Sequence, residues 1–438
     1  MKAMPSVQKG VPFLYHSPIT SGYGLIVKET PDKFKLLLLF DANTMKVQET
    51  KEYKAYKILE HWDSITTILR AEQLCNPQDK FFPLFAHLYA HTKELYQKVK
   101  RRKNGEDSFL HPLNIVVTLN RAKMSDALTL CVGLAHDLIE EKVDLYTEIN
   151  HLGQDAQSIR EIDQQEKLFL AELEQSLSSF CQKKGYPQDL PHKIILAVHL
   201  LTRNKKESYY HYLSEIFQCR DQEVKERAIQ VKLADRTHNI QCIDCFNEEE
   251  RIYQCFKNLF ILNNVKRYLI QKYGSGVFSY APFSPTERLF NKCSKATHDA
   301  FLTIGHQFFA KGNAMVMSMI QLAFKKYAYE KAGLSEVTAI DEDEIHPVRL
   351  FQGIIRKYDA RLQREWDVVE KLRNNEKEYL SRFFLDFHFT STELENIIDY
   401  KDAFALREVI SKLLYQPQYV IHRFLCSELT AKGRISKI

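Results

Sequence analysis

From about residue 64 onward, this chain repeats apolar residues at the spacing of an α-helix. Apolar side chains recur at i, i+3 and i+4 in eight successive segments: 83–100, 112–121, 126–142, 166–184, 189–202, 207–218, 222–240 and 248–273. Glycine and proline, which interrupt helices and build turns, number only 14 and 13 in 438 residues. The sequence therefore predicts a mainly α chain, with an all-α bundle over residues 64–275.

The two ends of the chain differ from this central part. Residues 1–60 contain the strand-like runs GYGLIVKE, DKFKLLLLF and TMKVQET, separated by turn signals, so we expect a small β-rich domain of the SH3-like kind. A linker is expected at 273–285, and an acidic loop or helix start at 341–344. Capping-box patterns begin SPTERLF at Ser284 and TSTELENIIDY near Ser391, which predicts a helical C-terminal domain over residues 286–438.

The composition of the chain indicates the cellular compartment in which the protein works and the classes of partner that it can bind. A net charge of +5 permits an anionic ligand, but no basic stripe with interleaved aromatic residues indicates nucleic-acid binding. The nine cysteines are scattered and odd in number, which suits a reducing compartment, and Cys242 and Cys245 are interpreted as two thiols rather than a zinc or redox site. Because the N-terminus has no apolar signal core and no run of 18 apolar residues occurs, we expect a cytoplasmic protein that does not enter a membrane.

The stretch GLAHDLIEE, residues 133–141, places four ionisable side chains in an apolar run. In one continuous helix, His136 pairs with Glu140 and Asp137 with Glu141 at i,i+4, so that two stripes project the same way. Three carboxylates this close repel one another unless a cation lies among them. The pattern therefore indicates a cation site.

Two further stretches supply chemically matching side chains. RRKNGEDSFLHPLNI, residues 101–115, presents His111 at a helix start. VKLADRTHNI, residues 231–240, presents Asp235 and Asn239 on one helix face. The predicted metal ligands are His111, His136, Asp137 and Asp235.

A ligand set of imidazoles and carboxylates without thiolates suits octahedral Mn²⁺, Fe²⁺ or Mg²⁺ with open water positions, more than a closed structural zinc site. Such an ion lowers the pKa of its water and makes hydroxide available at neutral pH. We expect Glu140 and Glu141 to position that water and to protonate a leaving oxygen. The isolated histidines His199, His211 and His238 are interpreted as structural or surface residues.

These three stretches, in this order, resemble the HD-domain hydrolases of the RelA/SpoT family, including the small alarmone hydrolases. The family pattern is close to R-x-S-G-E-P-Y-x-x-H-P, then H-D-x-x-E-D, then K-L-A-D-R-x-H-N. This chain has RKNGEDSFLHP at 102–112, HDLIEE at 136–141 and KLADRTHN at 232–239. The resemblance covers roughly residues 75–275.

The resemblance implies an all-α HD-domain bundle that binds one Mn²⁺ through the four ligands named above and uses Glu140 and Glu141 as catalytic carboxylates. It implies that Arg102 packs on a guanine base and that Asn239 contacts the nucleotide. The implied reaction removes the 3′-pyrophosphate of (p)ppGpp and releases GDP or GTP and pyrophosphate. Positive charge from Arg102, Lys103 and Lys232 fits such a phosphorylated nucleotide.

The chain departs from the family pattern at several positions. Glu141 replaces an Asp, and Asn104, Asp107 and Ser108 replace the Ser, Pro and Tyr that shape the nucleotide pocket. The family's synthetase and regulatory domains are not recognisable at either end, which leaves residues 1–60 and 286–438 as places where a protein partner could bind.

Two rival functions stay open. One is an HD phosphohydrolase that acts on another nucleotide or a small phosphate ester. The other is a non-catalytic HD regulatory or scaffold protein, against which the intact ligand set argues. The tripeptide GYP at 185–187 also occurs in HD-GYP cyclic-dinucleotide phosphodiesterases, but the residues that accompany it there are absent, so it is interpreted as a loop between two helices.

Overall fold

The structure is a computed structural model of the 438-residue chain. It describes residues 13–16, 21–30, 33–41, 48–49, 53–54, 64–153, 155–204, 209–274, 284–310, 347–383, 385–415 and 420. Most of the expected linker at 273–285 and all of the acidic stretch at 341–344 lie outside the described residues.

Five short strands lie near the N-terminus, namely β1 (Phe13–His16), β2 (Ser21–Thr30), β3 (Lys33–Asp41), β4 (Gln48–Glu49) and β5 (Tyr53–Lys54). All of their pairings are antiparallel: β1 with β2, β2 with β3, and both β4 and β5 with β3. Because much of residues 1–60 lies outside the described part, the SH3-like domain stays a prediction.

The rest of the described chain is helical, which confirms the prediction of a mainly α protein. No helix that the structure describes has the length and apolarity needed to cross a membrane. Short 3₁₀ helices occupy Ile243–Cys245 and Leu385–Phe387. The α-helices are α1 (Ala71–Leu74), α2 (Phe82–Tyr96), α3 (Leu110–Arg121), α4 (Ala127–Ala135), α5 (Leu138–Ile149), α6 (Ala156–Lys184), α7 (Leu190–Leu201), α8 (Tyr209–Gln218), α9 (Gln222–Gln241), α10 (Glu248–Tyr273), α11 (Pro285–Ala310), α12 (Pro347–Leu362), α13 (Trp366–Phe383) and α14 (Ser391–Tyr415).

Polar caps explain where several helices begin. Asp126 starts α4 by accepting a first-turn backbone N–H through its carboxylate at 2.9 Å. The predicted capping box before α11 is confirmed, since the backbone N–H groups of Ser284 and Glu287 donate to each other's side chains at 2.8 and 3.2 Å. The second box, predicted near Ser391, is formed one residue earlier by Thr390 with Glu393.

The core lies around α9, twelve of whose residues are buried. Helices α3, α4 and α7 pack against α9, and α11 packs along α9, α10 and α14. Among the described residues, one hydrophobic cluster extends from Ala71 to Leu413. The helices before and after residues 275–283 therefore share this core, and the proposed boundary between domains 64–275 and 286–438 stays a prediction.

Buried hydrogen bonds join α9 and α10 to α11. Asn258 of α10 accepts from Nε of Arg236 at 2.6 Å and donates to the hydroxyl of Thr297 at 2.9 Å. Gln230 of α9 donates to the hydroxyl of Thr286 at 2.9 Å. Since a buried amide left without partners costs about 1–3 kcal/mol, these bonds hold α11 in one position against the two helices.

Helices α12, α13 and α14 enclose a set of charged side chains, called here the C-terminal ionic cluster: Lys357, Glu376, Lys401 and Asp402. Glu376 accepts from Lys357 at 3.0 Å and from Lys401 at 2.6 Å. Asp402, which is fully buried, contacts the ammonium of Lys357 and lies 3.5 Å from that of Lys401. The cluster thus pairs two lysines with two carboxylates.

Candidate metal centre

The loop before α3 sets the position of His111. In this loop the Asp107 carboxylate accepts the backbone N–H of Phe109 at 2.9 Å, and the Ser108 hydroxyl donates to the backbone carbonyl of Lys100. The loop therefore leads into α3 in a fixed conformation. His111 lies in the first turn of α3 and is buried.

His136 and Asp137 lie at a break between two helices, although the sequence predicted one helix over residues 126–142. Helix α4 ends at Ala135, α5 begins at Leu138, and Asp137 has φ −103° and ψ 2°. On one straight helix, neighbouring side chains diverge by about 100°. The prediction of a continuous helix was wrong because the chain turns here, which lets the side chains of His136 and Asp137 reach the same point.

Three potential ligand atoms meet at this break. Nε2 of His111 lies 3.2 Å from Nε2 of His136, and each nitrogen lies 3.1 Å from Oδ2 of Asp137. Suitable donor atoms of these three residues all lie within 4.8 Å of one another. Atoms whose lone pairs converge in this way form the geometry that a cation requires.

Asp235 approaches this group from α9. Its Oδ1 lies 3.5 Å from Nε2 of His111, and it stands outside the group of three that are mutually within 4.8 Å. Lys232 contacts Oδ2 of Asp235 at 2.9 Å, and the side-chain amide of Asn239 donates to Oδ1. The structure therefore brings together three of the predicted ligands closely and places the fourth beside one of them.

The donor spacing fits a six-coordinate divalent ion. Two ligands at right angles are separated by about 1.4 times the ion–ligand distance, so the separations near 3 Å correspond to bonds of roughly 2.2 Å, between the values usual for Mg²⁺ and Ca²⁺. Imidazole nitrogens combined with carboxylate oxygens suit Mn²⁺ or Fe²⁺ as well as Mg²⁺. The residues present therefore fit the expected cation.

A backbone carbonyl orients His136. Nδ1 of His136 lies 2.9 Å from the carbonyl oxygen of Gly133, so this nitrogen carries the proton and Nε2 keeps a lone pair. Gly133 also sits where α4 comes close to α3, since a Cβ there would lie 2.7 Å from Cδ1 of Leu119. The glycine therefore permits the close approach of the two helices that carry the histidines.

Glu140 and Glu141 lie in the first turn of α5, next to the ligand group. Burial and the negative charge of Asp137 raise the pKa of each glutamate to about 7. A carboxyl group with a pKa near 7 can both give and take a proton at neutral pH. Burial is the larger cause of the shift, and the charge of Asp137 adds to it.

The predicted substrate-binding residues divide into two groups. Arg102 donates to the amide oxygen of Asn239 at 3.1 Å, which links both residues to Asp235. Lys232 also lies at Asp235, and although burial opposes its charge, the carboxylate raises its pKa well above the usual value. Lys103 instead pairs with Glu250 of α10 at 3.1 Å.

The sequence did not single out two residues that the structure places at the site. His238, interpreted as an ordinary structural histidine, is 2% exposed and has Nδ1 only 2.9 Å from Nδ1 of His111. Burial and the neighbouring His111 lower its pKa to about 2. Arg203 donates its backbone N–H to Glu140. The available signal for His238 was its position three residues after Asp235 on the same helix.

Comparisons with known proteins give one partial similarity. Over 164 residues, 37% of this chain, the sequence is 28% identical to a GTP pyrophosphokinase of Myxococcus xanthus, a name used in the RelA/SpoT family. The matched part spans 17% of that protein. No family model and no solved structure matches the chain.

Proposed function

We propose that this chain is a divalent-metal-dependent phosphohydrolase of the HD superfamily and that it acts on a phosphorylated nucleotide. The observation that carries the proposal is the convergence of Nε2 of His111, Nε2 of His136 and Oδ2 of Asp137 to separations of 3.1–3.2 Å, with Asp235 beside them. Mn²⁺ is the proposed cofactor, with Fe²⁺ or Mg²⁺ as alternatives.

The chain's own residues divide the catalytic work. His111, His136, Asp137 and Asp235 would hold the ion, which supplies an activated water and stabilises the charge on the phosphate. Glu140, whose position is fixed by the backbone N–H of Arg203, takes a proton from the attacking water. Glu141 gives a proton to the leaving oxygen, for which a pKa near 7 is suitable.

The leading substrate is (p)ppGpp, from which hydrolysis of the 3′-pyrophosphate gives GDP or GTP and pyrophosphate. The similarity to a GTP pyrophosphokinase supports a guanine nucleotide. Arg102 and Asn239 lie together at Asp235, where a guanidinium can stack on a base and an amide can bond a nucleotide.

A second candidate substrate is another nucleotide. The ion pair of Lys103 with Glu250 favours it, because this pair engages a positive charge that the resemblance implies for binding (p)ppGpp. Asp107 and Ser108, which differ from the family's Pro and Tyr, are engaged in the loop before His111.

The proposal is tested by incubating the purified chain and Mn²⁺ with ppGpp and resolving the products. We expect GDP and pyrophosphate, no product in EDTA, and no product from His136→Asn. The matched control is His192→Asn, because His192 is a largely exposed histidine on α7 and should leave the rate unchanged. Products from other nucleotides only would favour the second candidate, and a metal-loaded protein that hydrolyses no nucleotide would be a scaffold.

A further inference from the structure

His238 is a buried polar side chain that the proposed mechanism does not use. It lies on α9 between Asp235 and Asn239, and its ring faces the ring of His111 with centroids 5.0 Å apart at an angle of 49°. Its Nδ1 is 2.9 Å from Nδ1 of His111. Among the described residues, its Nε2 has no hydrogen-bond partner, so the polar contact of this ring is made with His111.

We propose that His238 is a positioning residue that holds His111 in the orientation and tautomer needed to bind the cation. This inference rests on the metal site of the proposed function. A hydrogen bond between two imidazole nitrogens requires one N–H and one lone pair. When Nε2 of His111 presents its lone pair to a cation, its proton lies on Nδ1, which donates to Nδ1 of His238.

The other histidine ligand shows the same arrangement. Nδ1 of His136 donates to the carbonyl oxygen of Gly133 at 2.9 Å, while its Nε2 faces Oδ2 of Asp137 at 3.1 Å. Nε2 of His111 faces the same oxygen at the same distance. In each predicted imidazole ligand, Nδ1 therefore has a polar partner and Nε2 faces Oδ2 of Asp137. His238 is the Nδ1 partner of His111, as the Gly133 carbonyl is the Nδ1 partner of His136.

The two partners differ in one respect that matters for metal binding. A carbonyl only accepts, whereas an imidazole can accept or donate. Without a cation, His111 can keep its proton on Nε2 and donate it to Asp137, while His238 donates through Nδ1. When a cation binds, each ring keeps one proton, which moves from Nε2 to Nδ1 in His111 and from Nδ1 to Nε2 in His238. His238 thereby keeps His111 oriented in both conditions.

The test measures Mn²⁺ affinity by calorimetry, without any substrate. Loss of an outer partner of a metal ligand typically costs about 10–100-fold in affinity, so we expect His238→Phe to raise the Mn²⁺ dissociation constant by that factor. His238→Gln should recover most of the affinity, because its amide oxygen can accept from Nδ1 of His111. The matched control is Thr237→Val, since Thr237 is fully buried on the same helix and bonds the Leu233 carbonyl.

A merely structural role gives a different result. If His238→Phe binds Mn²⁺ as tightly as the wild-type protein, or if His238→Gln is as weak as His238→Phe, the positioning role is overturned while the metal site stands. If the wild-type protein binds no divalent cation, the metal site is overturned and this inference with it. Should His238→Phe fail to fold, ¹⁵N spectra of histidine-labelled wild-type protein with Mg²⁺ decide: a coupling between Nδ1 of His111 and Nδ1 of His238 across their hydrogen bond supports the role, and its absence overturns it.

Discussion

Two clusters of charged side chains in this molecule use similar residues but differ in charge balance. The C-terminal ionic cluster pairs two lysines with two carboxylates. At the candidate metal centre, two cationic side chains, Arg102 and Lys232, face four carboxylates: Asp137, Glu140, Glu141 and Asp235. With neutral histidines and with Glu140 and Glu141 ionised, the four carboxylates exceed the two cationic side chains by two charges, the charge of one divalent cation.

The pKa values of the glutamates express this difference. Although burial alone would raise the pKa of Glu376, Lys357 and Lys401 outweigh it and lower the pKa to about 2. Burial and Asp137 raise the pKa of Glu140 and Glu141 to about 7. A balanced cluster therefore stabilises its charges internally, whereas an unbalanced one needs either protons or a bound ion.

The largest expected effect separates catalytic carboxylates from metal ligands within the unbalanced cluster. Glu140→Gln and Glu141→Gln keep the side-chain shape but remove proton transfer, so turnover of the nucleotide substrate should fall by about 10²–10⁴-fold while bound Mn²⁺ persists. Asp137→Asn should lose metal and activity together. Turnover and bound Mn²⁺ are measured on the same preparations. If both glutamine variants keep normal rates, these acids are only a charged helix end.

The next prediction tests the C-terminal ionic cluster by removing the charge of one of its carboxylates. Asp402→Asn leaves the buried ammonium of Lys357 without its full counter-charge, so the free energy of unfolding should fall by about 3–5 kcal/mol. Mn²⁺ binding by the folded protein should not change. Urea unfolding measures the loss, and the exposed Glu395, paired with Lys377, gives the control Glu395→Gln, expected to cost at most about 1 kcal/mol. A small effect at Asp402 would contradict the comparison.

The smallest expected effect is a difference between Glu141 and Glu376 in how their contribution to stability depends on pH. Because the folded-state pKa of Glu141 lies above its ordinary value of 4.5, its cost to stability is present above pH 7 and disappears as the pH falls towards 4.5. In EDTA at pH 8, Glu141→Gln should therefore be more stable than the wild-type protein by about 1–2 kcal/mol, and this advantage should vanish near pH 5. Saturating Mn²⁺ should remove it at pH 8.

For Glu376 the sign is reversed. Its folded-state pKa of about 2 lies below 4.5, so its contribution to stability is present above pH 4.5 and is lost as the pH falls towards 2. Glu376→Gln should therefore be less stable than the wild-type protein at pH 8, with or without Mn²⁺. Thermal unfolding across pH 2–8 measures both variants, and equal pH profiles for the two would remove the distinction between the clusters.

Local signals in the sequence were sufficient for the mainly helical character of the chain and for some helix starts. The box at Ser284 and Glu287 acts within one turn, so the pattern predicted it correctly. His111 comes from one stretch and the adjacent His136 and Asp137 from another, and the structure brings the donor atoms of these three residues within 4.8 Å of one another. Mainly α structure followed from periodicity over many residues, where individual errors cancel.

Contacts between distant segments were beyond the sequence patterns. The break at His136 and Asp137 falls in a run with good helical periodicity, and at this break Asp137 contacts the distant His111, which local periodicity does not show. His238 acquires its partner only because α3 and α9 pack together. Lys103 pairs with Glu250, 147 residues away, a contact that its charge alone did not predict.

The hydrogen bonds from Asn258 to Arg236 and Thr297 have a consequence for the order in which the chain is synthesised. Helix α9 carries Asp235, Asn239 and His238, but α11, which packs along it and receives the bond at Thr297, is translated later. During synthesis, the face of α9 that α11 covers in the folded protein is therefore exposed to water until α11 has emerged from the ribosome. A nascent chain that stops in the 275–283 segment holds every predicted ligand and lacks the helix that covers one side of α9.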